Sequence, residues 1–144
     1  MLFRSFFSLI VALAEFERLA PPDANAKSRL FKDCFSEQPR YEAYLYFIEG
    51  IPAAYAITVE TYSSFLAKPT LYLEDIFVLP KFRREHIGTT FFNFLKNIAR
   101  ERNCGRMEWH VLDWNSDAIN FYKKIGATQM NEWYMFRLTE EQLR

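Results

Sequence analysis

The residues of this chain best suited to bind a charged ligand form a short basic loop between a strand and a helix. Residues 71–89 read LYLEDIFVLPKFRREHIGT, with Arg83 and Arg84 in the loop and Gly88 at the start of the helix. A helix N-terminus offers free backbone N–H groups and a positive dipole end, and both favour phosphate. Arginine adds fixed positive charge. The segment predicts a phosphate site, with an ordinary basic turn as the alternative.

A pair of neighbouring carboxylates, Glu74 and Asp75, interrupts the apolar strand that precedes this loop. Successive side chains of a strand point to opposite faces, so at most one of the two is expected to line a given cleft. From the residues alone two interpretations stay open. Either carboxylate is an edge residue in a salt bridge, or one of them lines a binding cleft.

The cysteines and histidines of the chain favour no further chemistry. Cys34 and Cys104 lie far apart and form no C-x-x-C motif, so neither structural zinc nor a disulfide framework is supported, and we predict no metal. Two free thiols are typical of the reducing cytoplasm, where we place the protein. His86 and His110 have no Ser or Cys partner pattern, which argues against a catalytic triad. His110 is predicted to be a core histidine, with a position facing the cleft as the alternative.

The composition bounds the class of protein. The 144 residues are a suitable length for one compact domain, residues 1–144, and 50% of them are hydrophobic, enough for a sizeable core. The 18 basic and 18 acidic residues cancel. A nucleic-acid footprint needs a basic excess, so no nucleic-acid partner is predicted.

The N-terminal segment allows two interpretations. Residues 1–14 read MLFRSFFSLIVALA, with an early Arg, an apolar run and a small-x-small end, which is typical of a signal peptide. The same residues continue an amphipathic helix, which is our prediction because the domain needs it. Its apolar face consists of Phe6, Leu9, Ile10, Leu13, Phe16 and Leu19. The run is too short to span a bilayer, so no membrane segment is predicted.

The remaining pattern predicts helices that cover a central sheet in a mixed α/β sandwich. Predicted helices are a first one stopped by Pro21 and Pro22, then residues 24–34, 88–102 and 116–124, the last capped by Asn115 or Ser116. Predicted strands are residues 41–48, 51–62, 71–79, 107–112 and 133–138. The first two should form a hairpin about Glu49 and Gly50, and the aromatic strand 41–48 is expected to be central and covered.

Several of these segments together resemble the GNAT superfamily of N-acetyltransferases. The strings LYLEDIFV at residues 71–78, DWN at 113–115 and NFYKKIGA at 120–127 are closest to the spermidine/spermine and thialysine acetyltransferase branch. The resemblance covers residues 6–143. It implies a mostly antiparallel central sheet flanked by helices, and transfer of an acetyl group from acetyl-CoA to a small primary amine.

The resemblance also implies where acetyl-CoA binds and how its thiolate leaves. Backbone groups of the LED strand would hold the pantetheine arm and the basic loop the pyrophosphate. The implied residues are Ile76, Phe77, Val78, Arg83, Arg84, Glu85, His86, Ile87, Gly88, Thr89 and Asn115. Tyr122 would be the general acid that protonates the CoA thiolate; a phenol pKa near 10 and a thiol pKa near 8.5 allow that transfer. The alternative is a packing tyrosine.

The same resemblance gives the acidic residues a role at the amine. Glu74 matches the position that acts there as a base through water, and an amine must be neutral to attack the thioester. Glu17, Asp75 and Glu132 are the implied contacts for substrate ammonium groups, and solvated surface charge is the alternative for Glu17 and Glu132. The substrate would be a diamine, a polyamine or a lysine-like amino acid.

The chain departs from the family pattern in two places. The family loop has glycine where His86 stands, and usually another after the first arginine, so we expect backbone strain at His86 and weakened acetyl-CoA affinity. The family strand before the first helix is missing or very short, which leaves a strand edge to be covered. That edge and the abundant aromatics predict a homodimer, as in the related branch.

Two other functions stay open at this point. The eroded glycine pattern and the missing strand are also compatible with a degenerate domain that only binds a partner. Acetylation of a protein amine is the third option, which an open, uncharged cleft would favour.

Overall fold

The computed structural model describes residues 2–144, so Met1, at which the predicted N-terminal segment and domain begin, lies outside the described residues. The helices are α1 (Leu2–Phe16), α2 (Ala24–Cys34), α3 (Ile87–Glu101) and α4 (Ser116–Lys124), and the strands are β1 (Glu42–Ile48), β2 (Ile51–Ser63), β3 (Lys68–Val78) and β4 (Arg106–Trp109). The chain divides into two compact units, one ending at His110 and the other running from Val111 to Arg144.

None of the described helices is long and apolar enough to cross a bilayer.

Helix α1 buries the face that its periodicity predicts. Phe6, Leu9 and Ile10 are buried in a cluster with side chains of the sheet. The helix ends before the two prolines that were expected to stop it, and Leu19, the last predicted member of its face, is exposed. The helix ends at Arg18, which has a φ of 60°. The N–H of Arg18 donates to the Glu15 carbonyl, and the N–H of Leu19 donates to the Ala14 carbonyl. This is a Schellman cap, formed without glycine.

The hairpin of β1 and β2 forms as predicted. Glu49 and Gly50 both have positive φ, 49° and 79°, which is the type I′ turn that suits the twist of two antiparallel strands. The strands pair from Glu42 opposite Thr58 to Ile48 opposite Ile51.

The sheet has the order β1-β2-β3-β4, with antiparallel pairs except for the parallel pair of β3 with β4. The expectation that residues 41–48 form a central strand is therefore wrong, because β1 lies at an edge. Its two-sided apolar pattern has another cause: helices cover both faces. Tyr44 and Tyr46 contact the rings of Phe94 and Phe91 on α3, whereas Leu45 packs against the cluster that includes α1. The open edge of β1 agrees with the expected missing first strand.

Two apolar layers hold the sheet. On one face, Tyr55, Ile57 and Phe77 pack with α1. The face of α3 predicted from its spacing consists of Phe91, Leu95, Ile98 and Arg102, with Phe92 and Ala99 beside it. Phe91, Phe92, Leu95 and Ala99 are each at most 8% exposed, whereas Ile98 is half-buried and Arg102 is exposed. Burial of such a stripe on both sides of a sheet is what fixes the strands in place.

Strands β3 and β4 separate after a short parallel contact. They pair from Thr70 opposite Arg106 to Leu73 opposite Trp109. Beyond Leu73, β3 continues to Val78, and its only strand partner in the described part of the chain is β2. The predicted strand 107–112 ends early for this reason. One edge of β3 is thus left without a strand partner.

The predicted last strand, residues 133–138, does not form in the described chain. Its apolar side chains are largely exposed; Trp133 is 75% and Phe136 93% exposed. A strand gains its stability from a paired neighbour, and without one high β-propensity is insufficient. In the same unit α4 forms where predicted, with the Asn115 side chain accepting a hydrogen bond from the N–H of Ala118 at 3.3 Å.

Candidate active site

The basic loop before α3 keeps a glycine-like backbone without glycine. Arg84 and His86 have φ values of 71° and 61°, in the left-handed region that favours glycine. These are the two positions where the resembled family has glycine. The expected positive φ at His86 is confirmed, and Arg84, two residues earlier, also has a positive φ. Each such residue costs about 1–2 kcal/mol, so the loop maintains its shape against the preference of its side chains.

The first turn of α3 is suited to an anion. His86 precedes the helix and its carbonyl accepts the first helical hydrogen bond, from the N–H of Thr90 at 3.0 Å. Helix geometry therefore leaves the N–H groups of Ile87, Gly88 and Thr89 without intrahelical acceptors. The residues that flank them, Arg84, Glu85 and His86, are exposed. A pyrophosphate fits this set of donors, and the buried side chain of Ile87 anchors the turn to the core.

Arg83 folds back onto the protein. Its Nε donates a hydrogen bond to the Val78 carbonyl at 3.1 Å. Its guanidinium lies over the rings of Phe16 and Phe77, 4.9 and 5.6 Å from the centroids. Both arginines of the loop are exposed, but Arg83 also contacts the end of β3 and of α1.

The edge of β3 at Ile76, Phe77 and Val78 has no strand partner among the described residues, and its role in binding pantetheine stays a prediction. These residues pair on one side with Ala56, Tyr55 and Ala54 of β2, and they lie beyond the point where β4 stops pairing. Backbone groups at such an edge are available to an extended amide-bearing ligand, in the manner of an added strand.

Glu74 and Asp75 lie at a β-bulge. Ile57 is opposite Asp75 and Thr58 is opposite Leu73, so Glu74 is the extra residue of β3. Glu74 is exposed and Asp75 is partly buried. The fully buried Tyr55 donates a hydrogen bond from its hydroxyl to Asp75 Oδ2 at 2.8 Å. The bulge therefore gives two neighbouring carboxylates different surroundings.

Burial is the main cause of the raised pKa values of Asp75 and Glu17. It raises the pKa of Asp75 to about 6, the Tyr55 hydrogen bond opposes that rise, and the charges of Glu74 and Glu17 add to it. Glu17, one residue beyond α1, also has its pKa raised by burial. Glu17 and Glu74 thus act on the Asp75 carboxylate, and the three residues are called the acidic group below.

Tyr122 and Glu132 lie in the second compact unit. Tyr122 is on α4 and is half-buried, with its ring 5.9 Å from that of Phe121, and its carbonyl accepts a hydrogen bond from the N–H of Ala127 at 3.0 Å. Asn115 caps this helix. Glu132 is exposed, directly before residues 133–138. The roles of these three residues stay predictions.

Sequence reasoning missed two tyrosines that contact titratable groups. Tyr55 is in an apolar run of β2, and nothing local marks it as a partner of Asp75. Tyr72 shares a hydrogen bond with His110, the Oη to Nδ1 distance being 2.5 Å. His110 is exposed, so its assignment to the core is wrong. No local signal marks the pair of Tyr72 and His110, because β3 and the end of β4 come together only through their parallel pairing.

Comparison with known proteins agrees with this geometry. Residues 8–127 match the family model described as Acetyltransferase (GNAT) family. The thialysine N-epsilon-acetyltransferase of Caenorhabditis elegans is 33% identical over 134 residues, which are 91% of this chain and 82% of that protein. The L-ornithine N5-acetyltransferase of Arabidopsis thaliana is 39% identical over 94 residues. That match covers 65% of this chain but only 41% of the plant protein. A solved structure described as a probable acetyltransferase superposes with a TM-score of 0.81 at 22% identity, covering 95% of this chain and 91% of the other.

Proposed function

Since this chain belongs to the GNAT family of acetyltransferases, we propose that it transfers the acetyl group of acetyl-CoA to a primary amine of a small molecule. The substrate class is a diamine, a polyamine or a lysine-like amino acid. The observation that carries this proposal is the acidic group formed by Glu17, Glu74 and Asp75 beside the bulge of β3. The charges of Glu17 and Glu74 raise the pKa of Asp75, and a cationic amine relieves that repulsion.

Acetyl-CoA supplies an acetyl group activated as a thioester. The chain's own part is to hold it: the first turn of α3 and Arg84 meet the pyrophosphate, and the free edge of β3 binds the pantetheine amides. Holding both substrates together permits direct attack of the amine and removes most of the entropic cost of their encounter. Backbone N–H groups at the end of the bulge stabilise negative charge on the carbonyl oxygen.

Two residues move protons in this proposal. Glu74 is exposed and takes a proton from the ammonium through water, which gives the neutral amine that attacks. Tyr122 donates a proton to the CoA thiolate as it leaves, and the pKa values of phenol and thiol make that transfer favourable once the thiolate forms. The assignment of Tyr122 rests on the family's NFYKKIGA pattern.

The experiment is a measurement of CoA release from acetyl-CoA with a panel of amines. The panel contains 1,4-diaminobutane, spermidine, L-ornithine, L-lysine and thialysine, with butylamine as a single-charge control. We expect kcat/KM for the amines with two or more ammonium groups to exceed that for butylamine by at least about tenfold. This is the effect of one added ammonium–carboxylate contact of roughly 1.4 kcal/mol. CoA binding without turnover on any amine would contradict the proposal and favour a non-catalytic binding protein. Turnover only on peptide amines would favour a protein substrate.

We also propose that the protein works as a homodimer. The open edge of β1 and the exposed apolar residues 133–138 support this, because both are features that soluble proteins normally cover.

A further inference from the structure

Among the described residues, the hydroxyl of Tyr55 is the only buried hydroxyl donor that contacts the acidic group. Its side chain is 0% exposed, and its ring lies edge-on to Phe6 of α1 at 5.7 Å. From this fixed position on β2 the hydroxyl donates a hydrogen bond to Asp75 Oδ2 on the neighbouring strand β3 at 2.8 Å. Within the described chain, Tyr55 is the one side chain that hydrogen-bonds the Asp75 carboxylate, which leaves Oδ1 for a further partner.

The register of β3 against β2 places this contact on Asp75. Because Glu74 is the extra residue, Asp75 stays opposite Ile57, diagonal to Tyr55, and Glu74 is left exposed. Asp75 is thus the carboxylate held by the core, and Glu74 the one that solvent reaches.

The surroundings of Asp75 contain several charged or titratable groups. Glu17 approaches from the end of α1, Tyr55 from β2, and Glu74 and Tyr72 from β3. The guanidinium of Arg83 lies over the rings of Phe16 and Phe77. Burial and the two glutamates disfavour the Asp75 anion, and the Tyr55 hydrogen bond favours it. The hydrogen bond from the phenol therefore lowers the pKa of Asp75 below the value that burial and the two glutamates would give, and the carboxylate stays ionised to a lower pH.

We propose that Tyr55 is a positioning residue that holds Asp75 in the orientation and charge state needed to bind the ammonium group of the substrate. This inference rests on the proposed amine substrate, and it adds a residue to which the family pattern gives no role. The phenol fixes one carboxylate oxygen, and the other accepts a hydrogen bond from the ammonium group. Ammonium binding then completes the neutralisation of a partly buried anion.

The test is calorimetric binding of L-ornithine and 1,4-diaminobutane between pH 5 and 8.5, without acetyl-CoA, for the wild type and Tyr55→Phe. In the wild type, amine affinity should fall as the pH drops through about 6, because Asp75 becomes protonated. Tyr55→Phe keeps the ring and removes the donor that favours the anion. The midpoint of the fall should then move to higher pH by roughly one unit, the effect of one hydrogen bond to a charged group. Affinity at pH 7 should weaken about three- to tenfold.

Controls separate positioning from packing. Tyr62→Phe makes the same chemical change at an exposed tyrosine of β2 and should leave the midpoint unmoved. Asp75→Asn keeps an acceptor for Tyr55 but cannot titrate, so its amine affinity should be weak and flat across the same range. It also serves as the test if Tyr55→Phe fails to fold.

The outcomes also separate this inference from the proposed function. Amine binding whose midpoint is the same in wild type and Tyr55→Phe would overturn the role of Tyr55, even in an active enzyme. The same holds if Asp75→Asn retains the pH dependence, or if no amine binds. A shifted midpoint in a protein that never releases CoA would support Tyr55 and contradict acetyl transfer.

Discussion

Arg84 and His86, two residues apart in the loop before α3, both adopt the left-handed backbone conformation. The loop thus holds two residues in the conformation that glycine adopts most readily, in a chain that lacks glycine at both points. Its shape is set by the ends it joins, namely the 3₁₀ turn at Pro80–Phe82 and the buried Ile87 of α3.

His86→Gly is expected to stabilise the protein. The substitution removes a left-handed cost of about 1–2 kcal/mol and adds chain entropy to the unfolded state, for a net gain of about 0.5–1 kcal/mol. Urea denaturation measures the change, and calorimetry should show equal or tighter CoA binding. Glu85→Gly is the matched control, since Glu85 has no positive φ, and it should lose stability. Weaker CoA binding by His86→Gly would mean that the imidazole itself contacts CoA.

Arg84→Ala and Arg83→Ala should affect different properties. Arg84 is exposed on the loop, so its loss should weaken CoA binding about two- to tenfold while stability changes little. Arg83 packs on Phe16 and Phe77 and bonds the Val78 carbonyl, so its loss should lower the free energy of unfolding by about 1 kcal/mol. Calorimetry and urea denaturation of both variants check this. An unchanged CoA affinity in the double variant would remove the proposed pyrophosphate site.

Tyr122→Phe should lower turnover by roughly 10²–10⁴, the usual contribution of a general acid. The ring is retained, so folding and acetyl-CoA binding should persist. The wild-type rate should fall at high pH as the phenol ionises, and the variant should lack that alkaline limb. Tyr62→Phe, at an exposed position, is the control. Comparable turnover of Tyr122→Phe and wild type across pH would make the phenol a packing residue.

Asp75→Asn should stabilise the protein at alkaline pH. The folded-state pKa of Asp75, about 6, lies above the ordinary value of 3.8, so folding favours the protonated form. Wild-type stability should therefore fall as the pH rises from about 4 to about 6, by roughly 1–3 kcal/mol. Asn carries no charge, so the gain of the variant should be present at pH 8 and absent below about pH 4. Denaturation of wild type, Asp75→Asn and the exposed control Glu74→Gln measures it. A gain that is the same at every pH would contradict the assignment.

The proposed homodimer predicts a solution mass of twice the 17.2 kDa chain mass by light scattering. Phe47→Lys puts a charge on the open β1 edge, where Phe47 is 40% exposed, and should shift the mass toward the monomer. Phe65→Lys is the control, because Phe65 is 98% exposed and outside the strands. A wild-type monomer at micromolar concentration would refute the proposal.

The elements predicted correctly are those whose signals are local. Glu49 and Gly50 specify their own turn, Asn115 caps the helix that follows it, and the apolar period of α3 gives the face that it buries. These depend on residues within a few positions of one another, so the sequence contains the whole cause.

The features that the sequence did not reveal depend on partners far along the chain. The bulge at Glu74 exists only through the register of β3 against β2. The Tyr55–Asp75 bond joins two strands, and neither residue's neighbours indicate it. The left-handed cap at Arg18 has no compositional signal. Residues 133–138 have strand composition but no partner in the described chain, so composition alone gave a wrong prediction.

The short parallel contact between β3 and β4 has a consequence for the order of folding. Strands β1, β2 and β3 follow one another through tight connections, so their pairing closes small loops. Strand β4 can pair with β3 only after the chain has passed through the whole of α3, and it then gains only the contact from Thr70 to Leu73. The entropy cost of closing this loop makes the step slow, and the short contact stabilises it only weakly. The three-stranded meander, which includes the free edge of β3, is therefore expected to form first, and the pairing of β4 with β3 is expected to form late and open early.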